Sequence, residues 1–137
     1  MKSETIELTY HANRLRVMYI ANIFVAGGLG LAFIISPSAI ASLFGATAEV
    51  SMWAAGYAYS FMVAIAIFAL LGLRSPLKFS TILLVQAATK IIWIFAIFLP
   101  ALVSGSTPSW TIMLLVLFAI WATGDLAVTP WRHFVQL

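Results

Sequence analysis

The chain has 137 residues, 64% of them hydrophobic and 8% charged, with a mean hydropathy of +1.09, against roughly 45–50% apolar and 25% charged in soluble domains. This is the composition of an integral membrane protein, with room for about four crossings of about 20 residues and short loops, which excludes an appended soluble enzymatic domain. The absence of cysteine excludes disulfides, thiol catalysis and Cys-ligated metals, and the seven Lys and Arg behind the net charge of +3 flank apolar segments, where they mark topology instead of nucleic-acid binding.

Residues 1–16 are polar, with Ser3 available as an N-cap and Glu4 and Glu7 in the first turn. Ile6, Tyr10 and Val17 fall near one face. Two readings stand: an interfacial extension of the first membrane helix, or a frayed, solvated tail. The first apolar run, 17–35, follows Arg14 and Arg16, and Ala39-Ile40-Ala41 resembles a cleavage site. Its core of about 19 residues exceeds the usual 7–15 of a signal segment, so a retained helix is expected.

Ser36-Pro37, Ser75-Pro76 and Thr107-Pro108 repeat one boundary device, a hydroxyl residue before a proline. The residue before Pro disfavours helical dihedrals, while Pro at the first helical position loses no hydrogen bond. Four spans follow, at about 17–35, 50–73, 77–103 and 110–128. Between the first two, Pro37 to Phe44 is too short to cross. It is expected as an interfacial helix stopped by Gly45, with Ile40, Leu43 and Phe44 on the apolar side and Ser38 and Ser42 toward water. Thr47 then caps the second span, and Pro100 bends the outer end of the third. Trp110, Trp131 and Trp53 fall where an aromatic belt belongs.

The fold class expected is therefore an all-α, integral membrane four-helix bundle forming a single domain. Lys2, Arg14 and Arg16 precede the first span, Arg74 and Lys78 separate the second from the third, and Arg132 follows the fourth. By the positive-inside rule both termini and the middle loop are cytoplasmic, in a multi-pass cell-membrane protein with Glu49 as the lone outer charge.

Small residues line the first two spans: Ala26, Gly27, Gly28 and Gly30 in one, Gly56, Ser60 and Ala64 in the other. Gly27, Gly30, Gly56 and Ser60 are the expected helix-packing positions, because in lipid small side chains permit close backbone approach. The stripes suit packing within one bundle, or the seam of a dimer. Phe61, Phe68, Phe95, Phe98 and Phe118 are read as packing or lipid-facing residues.

The third span carries Gln86 and Lys90 near its middle. Lys90 lies about 15 Å from either end at 1.5 Å per residue. An unpaired charge there costs at least about 2.5–3.5 kcal/mol. Asp125, in the fourth span, sits within about 6 Å of the same depth, and in antiparallel helices the two side chains lean toward each other. Gln86 precedes Lys90 by one turn, and Asn22 in the first span reaches a similar level. The expected buried polar layer is Asn22, Gln86, Lys90 and Asp125. It serves either as a structural staple or as a functional element: a proton relay, an anion or headgroup site, or a cavity floor.

No catalytic set is expected. His11 and His133 both fall in flanks, no H-x-x-H or E-x-x-H spacing occurs, and Gly27-Gly28-Leu29-Gly30 does not follow a strand, so neither a metal, a cofactor nor a phosphate loop is indicated.

The basic flank with Arg14 or Arg16, the Gly27-Gly28-Leu29-Gly30 run, Pro37 and the short amphipathic link resemble the DoxX-like group of small bacterial four-helix membrane proteins. The plan covers the whole chain, although residues 33–37 read FIISP and lack the Lys that often precedes the proline. The resemblance implies a partner or accessory subunit, some relatives being associated with membrane oxidoreductase complexes. No functional residue is carried over from it.

The leading expectation is thus a binding or accessory subunit acting through helix packing with a membrane-protein partner or in a homo-oligomer, embedded in the lipid bilayer, with no nucleic acid. The alternative is a small oligomeric ion- or proton-coupled transporter using the Lys90/Asp125 layer. A third class, an enzyme acting on lipid, would need a site built from His11, Glu7, Asp125 or His133, and their spacing gives no support.

Overall fold

The computed structural model describes residues 2–43, 52–131 and 134. Expectations resting on Phe44, Gly45, Thr47, Glu49, Arg132 and His133, and on the side chains of Lys2, Ser3, Glu4, Ile6, Glu7, Tyr10 and Trp53, lie outside the described residues. The fold is all-α, of the four-helix transmembrane class, with a short extra helix between the first two spans. Four helical stretches are long and apolar enough to cross a bilayer: His11–Ile35, Ala55–Arg74, Thr81–Val103 and Trp110–Val128.

Packing divides the chain into two compact units, Met1–Ile82 with Pro130–Leu137, and Leu83–Thr129. In the first unit, α1 (Lys2–Asn22) continues through a π-helical segment, Ile23–Gly27, into α2 (Gly28–Ile35). Asn22, Gly27 and Gly28 all keep right-handed helical dihedrals, so the polar start and the first apolar run form one unbroken helix. Ser36 leaves the helical region at φ −144°, and α3 (Pro37–Leu43) starts at the proline, as the hydroxyl-proline device requires. Within α3, Ile40 is buried while Ser38, Ser42 and Leu43 are exposed.

Helix α4 (Met52–Arg74) packs along α1 and α2. The buried face of α1 and α2 is Leu15, Tyr19, Asn22, Ala26, Gly30 and Phe33; that of α4 includes Ile65, Ala66, Ala69 and Gly72. Apart from the adjacent Ile65 and Ala66, these positions recur every three or four residues, which places each set on one face. Phe33 stacks on Tyr59 with centroids 3.8 Å apart and planes 8° from parallel.

Glycine decides how closely these helices approach. A Cβ on Gly30 would fall 2.8 Å from Val63 Cγ2 and 2.9 Å from the Tyr59 carbonyl oxygen, and one on Gly27 would fall 2.8 Å from Ala66 Cβ. Both lie well inside van der Waals contact, and in lipid such proximity supplies the attraction that hydrophobic burial supplies in water. A Cβ on Gly56 would meet nothing within 4 Å, and Ser60 is exposed. The seam on α4 accordingly runs through Tyr59, Val63, Ala66 and Gly72.

The third span starts later than Leu77. Residues 76–80 form turns, and α5 (Thr81–Trp93) begins only after them. Ser80 is the reason: its hydroxyl and its backbone N–H both donate to the Leu77 carbonyl, at 2.7 and 3.3 Å, the local competition by which serine favours turns over helix interiors.

In the second unit α5 passes through a π-helical segment, Ile94–Phe98, into α6 (Leu99–Val103). Pro100 accounts for this. It has no N–H to donate to Ala96, and its ring crowds that carbonyl. The Leu99 N–H bonds to Ile94 five residues back, widening the turn so that the helix continues through the proline. The expected bend at Pro100 is thus met by a π turn. Helix α6 ends in a Schellman motif, with Ser106 N–H on the Ala101 carbonyl (3.0 Å), Gly105 N–H on that of Leu102 (3.2 Å), and Gly105 at φ +69°. After it, α7 (Trp110–Val128) contacts the π segment. Trp93 packs edge-on to Phe118 at 5.0 Å and tilted against Phe98 at 5.7 Å. Of the three rings, Phe98 is buried and Trp93 and Phe118 are half-buried.

Candidate functional site: an intramembrane ionisable pair

Of the four residues expected in a polar layer, Asn22 belongs to the first unit, and Gln86, Lys90 and Asp125 to the second. Asn22 and Asp125 are fully buried, Gln86 is 6% exposed, and Lys90 is half-buried. Helix α5 sets the geometry around the lysine. Gln86 and Lys90 are one turn apart, and the Lys90 ammonium reaches back to donate to the Gln86 backbone carbonyl at 3.5 Å. That direction is the one helical side chains take, toward their own N-terminus. At 3.5 Å the bond is long and contributes little.

Helix α7 positions the acid. Asp125 lies in its last turn, where the Thr129 hydroxyl donates to the Asp125 backbone carbonyl at 2.7 Å. Thr129 then turns extended at ψ 127°, ahead of Pro130. The end of a helix carries a partial negative charge, so a carboxylate in the last turn is doubly disfavoured, by burial and by the dipole. A cation offsets both. Lys90, half-buried on α5, is a cation of the same unit. An acid and a base, each a poor resident of a bilayer alone, thus belong to one unit, with Gln86 buried one turn before the lysine.

Chemically the arrangement offers a proton-exchangeable acid and a cation at membrane depth. Among the described residues no three His, Asp or Glu side chains come together to hold a metal ion. His11 is half-buried on α1.

A second polar feature was not foreseen from the sequence. Tyr19 is 0% exposed, and its hydroxyl donates to the Pro76 carbonyl at 2.7 Å. Three residues earlier, Arg16 Nε donates to the Leu73 carbonyl at 3.3 Å. The two bonds share one register, fastening α1 to the end of α4 and the turn after it. The available signal was a tyrosine inside an apolar run, whose hydroxyl must find an acceptor when buried.

Together these features place the chain among all-α, multi-pass membrane proteins that carry an acid and a base within their spans. Comparison with protein-family models, curated proteins and solved structures finds no match.

Proposed function

We propose that the chain is a small membrane binding subunit that acts through helix packing with a protein partner and catalyses no reaction itself. The observation that carries this reading is the unequal use of its small residues. Gly27, Gly30 and Gly72 are each approached within 3 Å by neighbouring atoms at the Cβ position, whereas a Cβ on Gly56 meets nothing within 4 Å. Gly56, Ser60 and Ala64 follow one another at single-turn spacing, with Ser60 exposed. Around the exposed Ser60, small residues would gain little from lipid but let another helix approach closely. The resemblance to DoxX-like proteins, with its implied accessory role, points the same way.

Because the chain lacks cysteine, a single Ser60→Cys gives an unambiguous crosslinking site. In native membranes it is expected to form one adduct of defined mass with a different protein, and Gly56→Leu in the same chain is expected to abolish that adduct while leaving thermal stability within about 0.5 kcal/mol. A crosslink between two copies would make the partner a second chain of the same kind. Survival of the adduct in Gly56→Leu would remove this face from the interaction.

Transport of a proton or ion through a small oligomer is the second reading, favoured by the complete burial of the ionisable Asp125. Both readings use one orientation. We infer that the termini and the loop between the second and third spans face the cytoplasm, since Arg14, Arg16, Arg74 and Lys78 all flank that side. Ser75 and Ser106 are exposed. As single cysteines in intact cells they are expected to react with a membrane-impermeant maleimide from opposite sides, Ser106→Cys alone being labelled from outside. Equal labelling of both would overturn the orientation.

A further inference from the structure

We propose that the junction of α1 with the end of α4 is a binding site for the phosphate of an anionic phospholipid, built from Arg16, Arg74 and Lys78. The paired bonds from Arg16 to Leu73 and from Tyr19 to Pro76 hold α1 against this turn. Arg74 lies in the chain between those two anchor points, and Lys78 is two residues beyond the second, within about 8 Å at the Cα. All three cations are exposed, as is the Ser75 hydroxyl between them.

Arg16 is also held in place. Its Nε is on the Leu73 carbonyl and one Nη is on Asn13 Oδ1 at 3.1 Å, so its guanidinium loses little freedom on meeting an anion. The Leu73 carbonyl is one that the helix end leaves without an intrahelical donor. The same arginine therefore closes α4 and places positive charge at its terminus. Neither 8–43 nor 52–82 contains an Asp or Glu. On α1 itself the acids are Glu4 and Glu7, nine or more residues before Arg16 and so about 13 Å or more away along the helix axis.

The surface beside the cations argues for a lipid over free phosphate. From Arg16, Ile20 (46% exposed) and Phe24 (75%) follow at successive turns along α1; from Arg74, Leu70 (52%) and Ile67 (54%) run back along α4. Each arginine thus heads an exposed apolar track pointing into the membrane span. A headgroup phosphate with acyl chains matches both parts, and arginine and lysine at a helix end are the chemistry that recognises such headgroups.

The test uses the purified full chain, delipidated in neutral detergent and titrated with cardiolipin, phosphatidylglycerol or phosphatidylcholine, with bound lipid counted by native mass spectrometry. Both anionic lipids are expected to bind at least about tenfold more tightly than phosphatidylcholine. Each cation removed is expected to weaken anionic binding about fivefold, so Arg74→Gln with Lys78→Gln loses about 25-fold and leaves phosphatidylcholine binding unchanged. Arg16 is left intact, because its bond to Leu73 is structural. Should the double variant unfold, the wild-type chain still decides: 0.5 M salt, used here as a screening concentration, is expected to erase most of the anionic preference. Equal affinity for the three lipids, or a preference untouched by both the double variant and salt, would overturn the site. Displacement of bound cardiolipin by millimolar inorganic phosphate or glycerol phosphate would show a free-anion site and overturn the lipid assignment.

Discussion

Gly72→Ala is expected to be among the most damaging single-methyl additions to this chain, costing about 2–4 kcal/mol. The added Cβ would fall 2.7 Å from two ring carbons of Tyr19 and 2.9 Å from a third. Overpacking a filled site ordinarily costs about 1–3 kcal/mol because neighbours shift to relieve it. Tyr19 cannot shift freely. It is fully buried, and its hydroxyl is fixed to the Pro76 carbonyl, so any movement that relieves the clash stretches that bond, worth about 1 kcal/mol more. Thermal unfolding in detergent, followed by the remaining monomer peak in size exclusion, reads the effect. Tyr19→Phe alone should cost about 1–2 kcal/mol through the stranded carbonyl. Gly72→Ala combined with Tyr19→Ala should lose less than the sum of the single changes, since the ring that clashes is gone. A Gly72→Ala chain within about 0.5 kcal/mol of wild type would mean that the ring does not sit against this glycine.

That contact shows where sequence reasoning reaches its limit. Composition and apolar runs of about 20 residues located four spans, and the Ser36-Pro37 pair located the short helix at Pro37, because that boundary follows from dihedral restrictions acting within one or two residues. The start of the third span was misplaced for a physical reason: Ser75-Pro76 permits a helix, but Ser80 takes the Leu77 carbonyl into a turn and delays it to Thr81. Pro100 was visible as a perturbation, while the π turn that absorbs it depends on the Leu99 N–H reaching Ile94, a choice the neighbouring packing makes. Tyr19 and Gly72 are 53 residues apart in the chain, and only the tertiary fold brings them together. Small-residue stripes were legible as stripes. Which glycine meets a neighbour at its Cβ, Gly30 against Val63, and which has open space there, Gly56, was not.

Lys90 and Asp125 were legible because charge is rare in a span and its cost is large. Their relation is best read through a double-mutant cycle. Asp125 is fully buried and lies at the negative end of α7, so if Lys90 is its counter-charge, Lys90→Met is expected to destabilise by about 3 kcal/mol. Asp125→Asn keeps the shape but leaves the half-buried ammonium without that carboxylate. Its cost is expected to be smaller, about 1–3 kcal/mol, because the long stem of Lys90 lets the ammonium move toward headgroups. The double variant Lys90→Met/Asp125→Asn should be more stable than Lys90→Met alone, since removing both charges strands neither. Additive losses, with the double variant the least stable of the three, would mean that the two groups do not act on each other in the folded chain. The same proteins separate the two functional readings. Retained partner crosslinking at Ser60→Cys in a stable double variant would make the pair a device for fixing α5 against α7 and leave the binding reading intact. Loss of a proton flux in proteoliposomes under an imposed pH gradient, with stability and crosslinking unchanged, would instead assign the two residues to transport, because a proton carried on Asp125 would change the charge distribution of the second unit.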